Sequence, residues 1–325
     1  MLPFRRPAPL PTRTADSKGR FAIRSESASI ALLAAWLFSG GVAEAQTPNR
    51  EPAVVELLPG ARALALGMAP QLGSDDPDLA FVHPALVQEL GGVRGGYTRF
   101  GSTAAAYTLS TASDWFGGGV ALSVHALEYG RPAGSSPGDR SRGLDDLIGE
   151  ADAGRAVGEM AASATYGRTI ARIRFGVSGR LFTQRHGGER ISGQAIDLGL
   201  ATQAGPVRVA LSGRNLGNAD LLPSEIVLGA GAYGRPLGPL DVGGAVQLRY
   251  RDDGQLEYGG GVEFGYWPVR GRTFVARVGL RNIPDGEASP LTFGGSFWGD
   301  ALVLDYAFQP MDGLDGIHRV GLGWR

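Results

Sequence analysis

The segment 301–309, ALVLDYAFQ, alternates between two kinds of residue along its whole length. The residues at even-numbered positions are all apolar: Leu302, Leu304, Tyr306 and Phe308. The residues at odd-numbered positions include the polar Asp305 and Gln309. The final segment, HRVGLGWR at 318–325, repeats the alternation. Because successive side chains of a β-strand point to opposite faces, the pattern predicts two strands that each have an apolar and a polar face.

The same alternation recurs backwards along the chain as far as residue 93. It predicts fourteen strands, at 93–100, 102–111, 116–127, 157–168, 171–184, 191–203, 206–214, 225–234, 241–251, 256–267, 273–281, 290–298, 301–309 and 317–325. A soluble β-sandwich would bury its apolar faces against each other, whereas a membrane barrel would turn them toward lipid. Periodicity alone does not separate these two folds.

The lengths of the links between the strands favour the barrel. Links after even-numbered strands are short, at 112–115, 169–170, 204–205 and 299–300. Most links after odd-numbered strands are longer and polar, at 128–156, 215–224, 282–289 and 310–316. A barrel with a periplasmic rim and an external rim needs this sorting, and a sandwich does not. The sequence therefore predicts an all-β, transmembrane antiparallel β-barrel of about fourteen strands.

The polar face of the predicted strands carries many charges. If the apolar face contacts lipid, these side chains line the lumen. The candidate lumen residues are Arg172, Arg174, Arg180, Asp197, Arg208, Glu263, Arg277, Asp305 and Arg319. Large apolar side chains are few on this face, and the main ones are Leu127, Phe182 and Val275.

The N-terminus resembles an export signal. Arg20 and Arg24 precede an apolar run at 28–38, and Ala43-Glu44-Ala45 is an A-x-A cleavage site. We expect a signal peptide at 1–45 and localisation in the bacterial outer membrane; a short buried helix is the alternative. Cleavage would remove six of 31 basic and three of 32 acidic residues, leaving a net charge of −4. That charge argues against nucleic acid as a partner.

The segment 57–92 differs from the strands, because its periodicity is mixed and it contains several turn signals. Its motif residues are Gly60, Arg62, Ala63 and Gly67, then Asp75, Asp76 and Pro77, then Phe81, His83, Pro84 and Ala85. In order and spacing they resemble the N-terminal motif of the PorV/PorQ family, within the wider group of FadL-like outer-membrane transport barrels. The loop at 214–217 (RNLG) and the closing hairpin around 305–308 (DYAF) resemble the same family. His83 stands where that family usually has Asn, and Arg325 follows Trp324 where the family usually ends on an aromatic residue.

The resemblance implies a short plug, or hatch, formed by 46–92 and folded into the lumen of a barrel formed by 93–325. A barrel of this strand number is too wide for its own side chains to fill, so an occupant is physically reasonable. The acidic residues Asp75, Asp76 and Asp78 would either pair with lumen arginines or only cap their own turn.

Three functional classes are compatible with this barrel. The resemblance implies an interaction or shuttle protein for secreted proteins in a type IX-like system, or a FadL-like conduit for small hydrophobic molecules. A sealing role is the third. Because a conduit needs an apolar pocket and the predicted lumen face is rich in Arg, we expect the interaction protein. The expected partners are outer-membrane lipid, the barrel-assembly machinery, and either secretion components or a small hydrophobic ligand.

The sequence contains no assembled catalytic or metal-binding set. The four histidines are scattered, at His83, His125, His186 and His318. Ser123 and His125 are predicted on one face of one strand, an arrangement that does not bring a nucleophile and a base together. No His has a second ligand at metal-binding spacing. We therefore expect no enzymatic activity, no metal and no cofactor.

Overall fold

The computed structural model describes residues 52–57, 60–69, 76–101, 104–129, 157–186, 189–217, 221–234, 236–269, 271–283, 288–311 and 314–324. The predicted signal peptide and Asp75 lie outside these residues. Fourteen antiparallel strands form one closed barrel in which each strand pairs with the next and β1 pairs with β14. The predicted fold class and strand count are confirmed. The strands are β1 Gly92–Phe100, β2 Ala104–Trp115, β3 Gly118–Tyr129, β4 Val157–Ile170, β5 Ile173–His186, β6 Glu189–Ala204, β7 Val207–Leu216, β8 Glu225–Tyr233, β9 Leu240–Arg251, β10 Leu256–Val269, β11 Arg272–Arg281, β12 Leu291–Trp298, β13 Leu302–Met311 and β14 Leu314–Trp324.

Two short turns lie further along the chain than the sequence predicted. Residues 112–115 continue β2, and the turn is formed by Phe116 and Gly117, both at positive φ. Ala171 and Arg172 form the next such turn, with φ of 47° and 73°. Two-residue hairpin turns of this type need positive φ at both positions. Arg172 is consequently exposed in a turn, and its predicted place on the lumen face is wrong.

The two faces of the barrel differ as a membrane barrel requires. Outward side chains are apolar and exposed in the middle of the strands, as for Leu109, Leu122, Leu181, Leu228, Phe264, Tyr306 and Leu322. Inward side chains are small, polar or charged, and are mostly buried. Lipid is the solvent in which such an outer face is stable. Among the described residues, no helix is long and apolar enough to cross a bilayer.

Residues 52–57, 60–69 and 76–91 form the inner segment, which packs against the inward face of the strands. It contains helix α1 (Ala53–Glu56), helix α2 (Ala61–Ala65) and two 3-10 helices, Pro77–Phe81 and Pro84–Glu89. Helix α1 contacts β3 and β4, α2 contacts β11 to β14, and the 3-10 helices contact β1 to β6. Because these contacts are made with strands on nearly all sides of the barrel, the inner segment lies within the barrel.

Glycine on the barrel wall allows the inner segment to approach closely. A Cβ on Gly259 would lie 1.8 Å from the carbonyl oxygen of Gly67, and one on Gly176 would lie 2.2 Å from Pro84. No side chain fits in either gap, so these wall positions need glycine. Gly67 itself has a φ of 60°, which glycine adopts without strain.

Candidate functional site in the barrel lumen

Helix α2 is attached to the barrel wall by a buried ion pair. The Arg62 guanidinium donates from Nε and Nη2 to the two carboxylate oxygens of Glu263 on β10, at 3.0 Å each. Tyr233 on β8 completes the group, because it accepts from Arg62 at 2.7 Å and donates to Glu263 at 2.6 Å. Arg277 on β11 also donates to Glu263. Bidentate, charge-assisted contacts of this kind fix both position and orientation.

The turn before the first 3-10 helix is attached to the first and last strands. Asp76 pairs with Arg94 on β1 at 3.1 Å, and Arg94 also pairs with Asp305 on β13. Asp78 accepts from Ser110 on β2 and lies 3.5 Å from Arg319 on β14. Asp76 also accepts a hydrogen bond from the Asp78 backbone at 3.0 Å. Of the two alternatives for this acidic turn, pairing with lumen arginines and capping of its own backbone, both therefore occur.

These contacts join into one buried group, which we call the charge belt. Its cations and anions are Arg62, Arg94, Arg277 and Arg319 with Asp76, Asp78, Glu263 and Asp305. No side chain in it is more than 8% exposed. Both ends of the belt are on the inner segment. Removing that segment would leave three buried arginines facing two carboxylates, so the segment is firmly held along β10–β14 and β1.

The ionisable groups of the inner segment differ in how the lumen affects their pKa values. Burial and the adjacent Asp76 raise the pKa of Asp78 to about 7, against the opposing effect of Arg319. Burial lowers the pKa of His83 to about 4, so the imidazole is neutral at neutral pH. Burial alone would raise the pKa of Glu56, but nearby arginines, foremost Arg249, lower it to about 2.

Strands β3, β5 and β7 hold the other side of the inner segment through separate contacts. Glu89 bridges Arg174 and Arg208, at 2.8 Å from the latter. The rings of Phe81 and His125 are stacked, with 3.8 Å between their centroids. The Arg180 guanidinium lies 4.3 Å from the centroid of the Phe81 ring.

Arg180 is itself fully buried and makes three further contacts. It donates to the Phe81 carbonyl and to Asn215, each at 3.1 Å, and it pairs with Asp197. Because one cation satisfies the inner segment, β6 and β7 together, it ties the segment to the middle of this wall.

A packed apolar cluster, which we call the outer chamber, lies inside this lumen. It is formed by Val54, Val55, Phe81, Ala106, Leu127, Ala161, Phe182, Ala195 and Leu222, with Leu57, Phe100 and Leu221 packed against them. Its wall residues lie near the strand ends that lead to the long loops, which are predicted to face outside. The chain's own Val54 and Val55, both 0% exposed, occupy it.

Helix α1 is held in the outer chamber by two polar contacts. The Val54 backbone donates to Glu159 on β4 at 2.6 Å, and Glu56 accepts from Arg249 on β9 at 2.6 Å. Next to it, two small clefts of about 20 and 10 Å³, each with room for about one water molecule, adjoin at Met68, Gln247 and Arg249, between the inner segment and the barrel wall. The packing between the inner segment and the wall is therefore incomplete beside Met68.

The structure brings together most of the residues that the sequence singled out. Gly60 and Gly67 lie at close approaches, Pro77 and Pro84 begin the 3-10 helices, and His83 is buried before Pro84. The charged residues whose side chains lie on the inward face of the strands include Arg174, Arg180, Asp197, Arg208, Glu263, Arg277, Asp305 and Arg319. No group of three or more potential ligands within the described ranges could hold a metal ion.

Sequence reasoning missed Arg94, Glu159 and the outer chamber. Arg94 and Glu159 follow the same alternation as the charges that were identified, so their parity could have placed them on the lumen face. The sequence indicated the outer chamber only weakly. Leu127 and Phe182 were recognised as lumen residues, but their partners Val54 and Val55 come from outside the strands.

A closed barrel with an apolar outer face and charges inside is the architecture of an outer-membrane β-barrel. No protein-family model matches the chain, and no curated protein matches its sequence. Solved structures with a similar fold include two toluene transporters. The Pseudomonas putida toluene transporter TodX aligns at 11% identity over 86% of this chain and 98% of its own, with a TM-score of 0.50. The Ralstonia pickettii toluene transporter TbuX aligns at 12% identity over 82% and 97%, with a TM-score of 0.52.

At such low identity these similarities show the fold alone. The resemblance to the PorV/PorQ family is not confirmed by any family match.

Proposed function

We propose that this protein is a non-enzymatic conduit that admits small hydrophobic molecules across the outer membrane. The observation that supports it is the outer chamber, which is the largest of the described apolar clusters in the lumen. The expectation of a secretion role depended on the apparent lack of such a region. The TodX and TbuX likeness in fold agrees with a conduit.

Helix α1 is the part of the inner segment that a ligand would replace. It has only four residues, and Val54 and Val55 fill the chamber. Burying one such side chain stabilises the docked helix by about 2 kcal/mol, so a ligand of similar apolar area can compensate for its loss. The charge belt keeps the rest of the segment in place. The proposed route therefore runs through the chamber and the clefts beside Met68.

Filling the chamber tests the proposal. Ala161 and Ala195 are each 1% exposed in its wall, and tryptophan at either position would occupy the space that a ligand needs. We expect uptake of labelled toluene by cells producing Ala161→Trp or Ala195→Trp to fall to the level of cells without the protein. Ala162→Trp, at the next residue of β4 and on its outward face, is the matched control and should retain uptake.

The outcomes separate the three functional classes. A heat-modifiable band on a gel would verify that each variant forms a barrel. Equal uptake by the wild type and by cells without the protein would refute the conduit. If a secreted protein then co-purified with the barrel, the interaction role would replace it, and if none did, a sealing role would remain.

A further inference from the structure

A buried carboxylate stands at the wall of the apolar outer chamber. Glu159 on β4 is 1% exposed and lies opposite Leu127 on β3 and Gln184 on β5. Its Oε2 accepts the Val54 backbone N–H at 2.6 Å, and its Oε1 accepts from the Gln184 side-chain amide at 2.8 Å. One of its hydrogen bonds thus comes from the wall and another from helix α1.

Displacing helix α1 changes the surroundings of this carboxylate. Val54 supplies both an apolar side chain to the chamber and an N–H to Glu159. A hydrocarbon that took its place would restore the apolar contacts but not the hydrogen bond. An acceptor left without its donor in a buried site carries a free-energy cost, which for a charged group is larger than for a neutral one.

We infer that Glu159 makes the chamber selective for hydrophobic molecules that carry a hydrogen-bond donor. This inference rests on the proposed function. A hydroxyl restores the bond that Val54 made, and a protonated amine restores it with charge assistance. A molecule with no donor does not replace the hydrogen bond that Val54 made, and a carboxylate places a second negative charge beside Glu159.

A ligand series of constant shape isolates this effect. Toluene, benzyl alcohol, benzylamine and benzoate share one ring and one exocyclic carbon and differ in their polar group. The chain contains no cysteine, so a single Leu57→Cys substitution gives a unique thiol beside helix α1. Labelling of this thiol by a maleimide, in protein reconstituted into lipid nanodiscs, reports departure of the helix from the chamber.

We expect half-maximal labelling at benzyl alcohol or benzylamine concentrations about tenfold or more below that of toluene, with benzoate weakest. Glu159→Gln keeps an acceptor oxygen but removes the charge, so benzylamine should lose its advantage over benzyl alcohol. Glu159→Leu should make toluene the strongest ligand. Glu128→Gln is the control, because Glu128 is on the adjacent strand with the outward parity.

Two results would overturn the inference in different ways. If toluene acts as well as the alcohol and the amine, or if the Glu159 variants leave their order unchanged, Glu159 does not select the ligand although the conduit stands. If no compound increases labelling and toluene uptake is also absent, the conduit itself is wrong and the selectivity falls with it.

Discussion

Removing the Arg62 side chain should release the inner segment from the barrel wall. Arg62 and Glu263 are each 3% exposed, and their two hydrogen bonds are 3.0 Å long. Deleting one partner of a buried ion pair costs about 3–5 kcal/mol. Arg277 and Tyr233 still contact Glu263 in the variant, so the lower end of that range applies. A cost of about 3 kcal/mol multiplies the undocked population by roughly 100.

Thiol labelling measures that population directly. Ala63 is 2% exposed yet borders the larger cleft, so an Ala63→Cys sulfur has room and is protected only while the segment is docked. Adding Arg62→Met to this background should accelerate labelling roughly 100-fold. Arg99→Met, at an exposed outward position of β1, should leave the rate unchanged. If Arg62→Met changed the rate less than threefold, the charge belt would not be what holds the segment.

Three further perturbations have defined outcomes. Burial lowers the pKa of His83 from 6.5 to about 4, so this group alone should weaken docking by up to about 1.4 kcal/mol per pH unit as the pH falls from 6.5 toward 4. Docking raises the pKa of Asp78 to about 7, which strengthens docking over the same pH range, so the contribution of His83 is measured as the difference in labelling between the wild type and His83→Asn. Gly259→Ala should undock helix α2, because its Cβ would lie 1.8 Å from a carbonyl oxygen, whereas Gly265→Ala meets only contacts of 3.8 Å or more and should behave as wild type in the same assay. Leu228→Arg, in the middle of the outer face of β8, should destabilise the barrel in lipid by about 2–4 kcal/mol in a urea titration, and an equal loss for Leu237→Arg at the rim would contradict the assigned membrane position.

Alternation and loop length were sufficient to predict the barrel, because both are properties of the chain that do not depend on side-chain packing. The turn positions were harder. Phe116, Ala171 and Arg172 adopt positive φ without being glycine, so the residue types that usually indicate such turns are absent. The sequence therefore placed two turns a few residues too early and assigned Arg172 to the lumen.

The site was predictable in its residue types but not in its pairs. Arg62, Asp76 and Asp305 were all identified as candidates, yet which cation meets which anion depends on strand register. The register that places Arg94 between Asp76 and Asp305 appears only when β1 closes on β14. The outer chamber escaped detection because three of its nine buried residues, Val54, Val55 and Phe81, belong to the inner segment, where the alternation does not apply.

The charge belt also links two events that are remote in the sequence. Its middle is built on β1, β13 and β14, the strands whose pairing closes the cylinder, and its ends are on the inner segment. By thermodynamic reciprocity, the docked segment stabilises the pairing of β1 with β14 by the same free energy by which that pairing stabilises docking. The barrel and the inner segment are therefore stabilised as one cooperative unit. Residues of the inner segment contribute in this way to the pairing of β1 with β14.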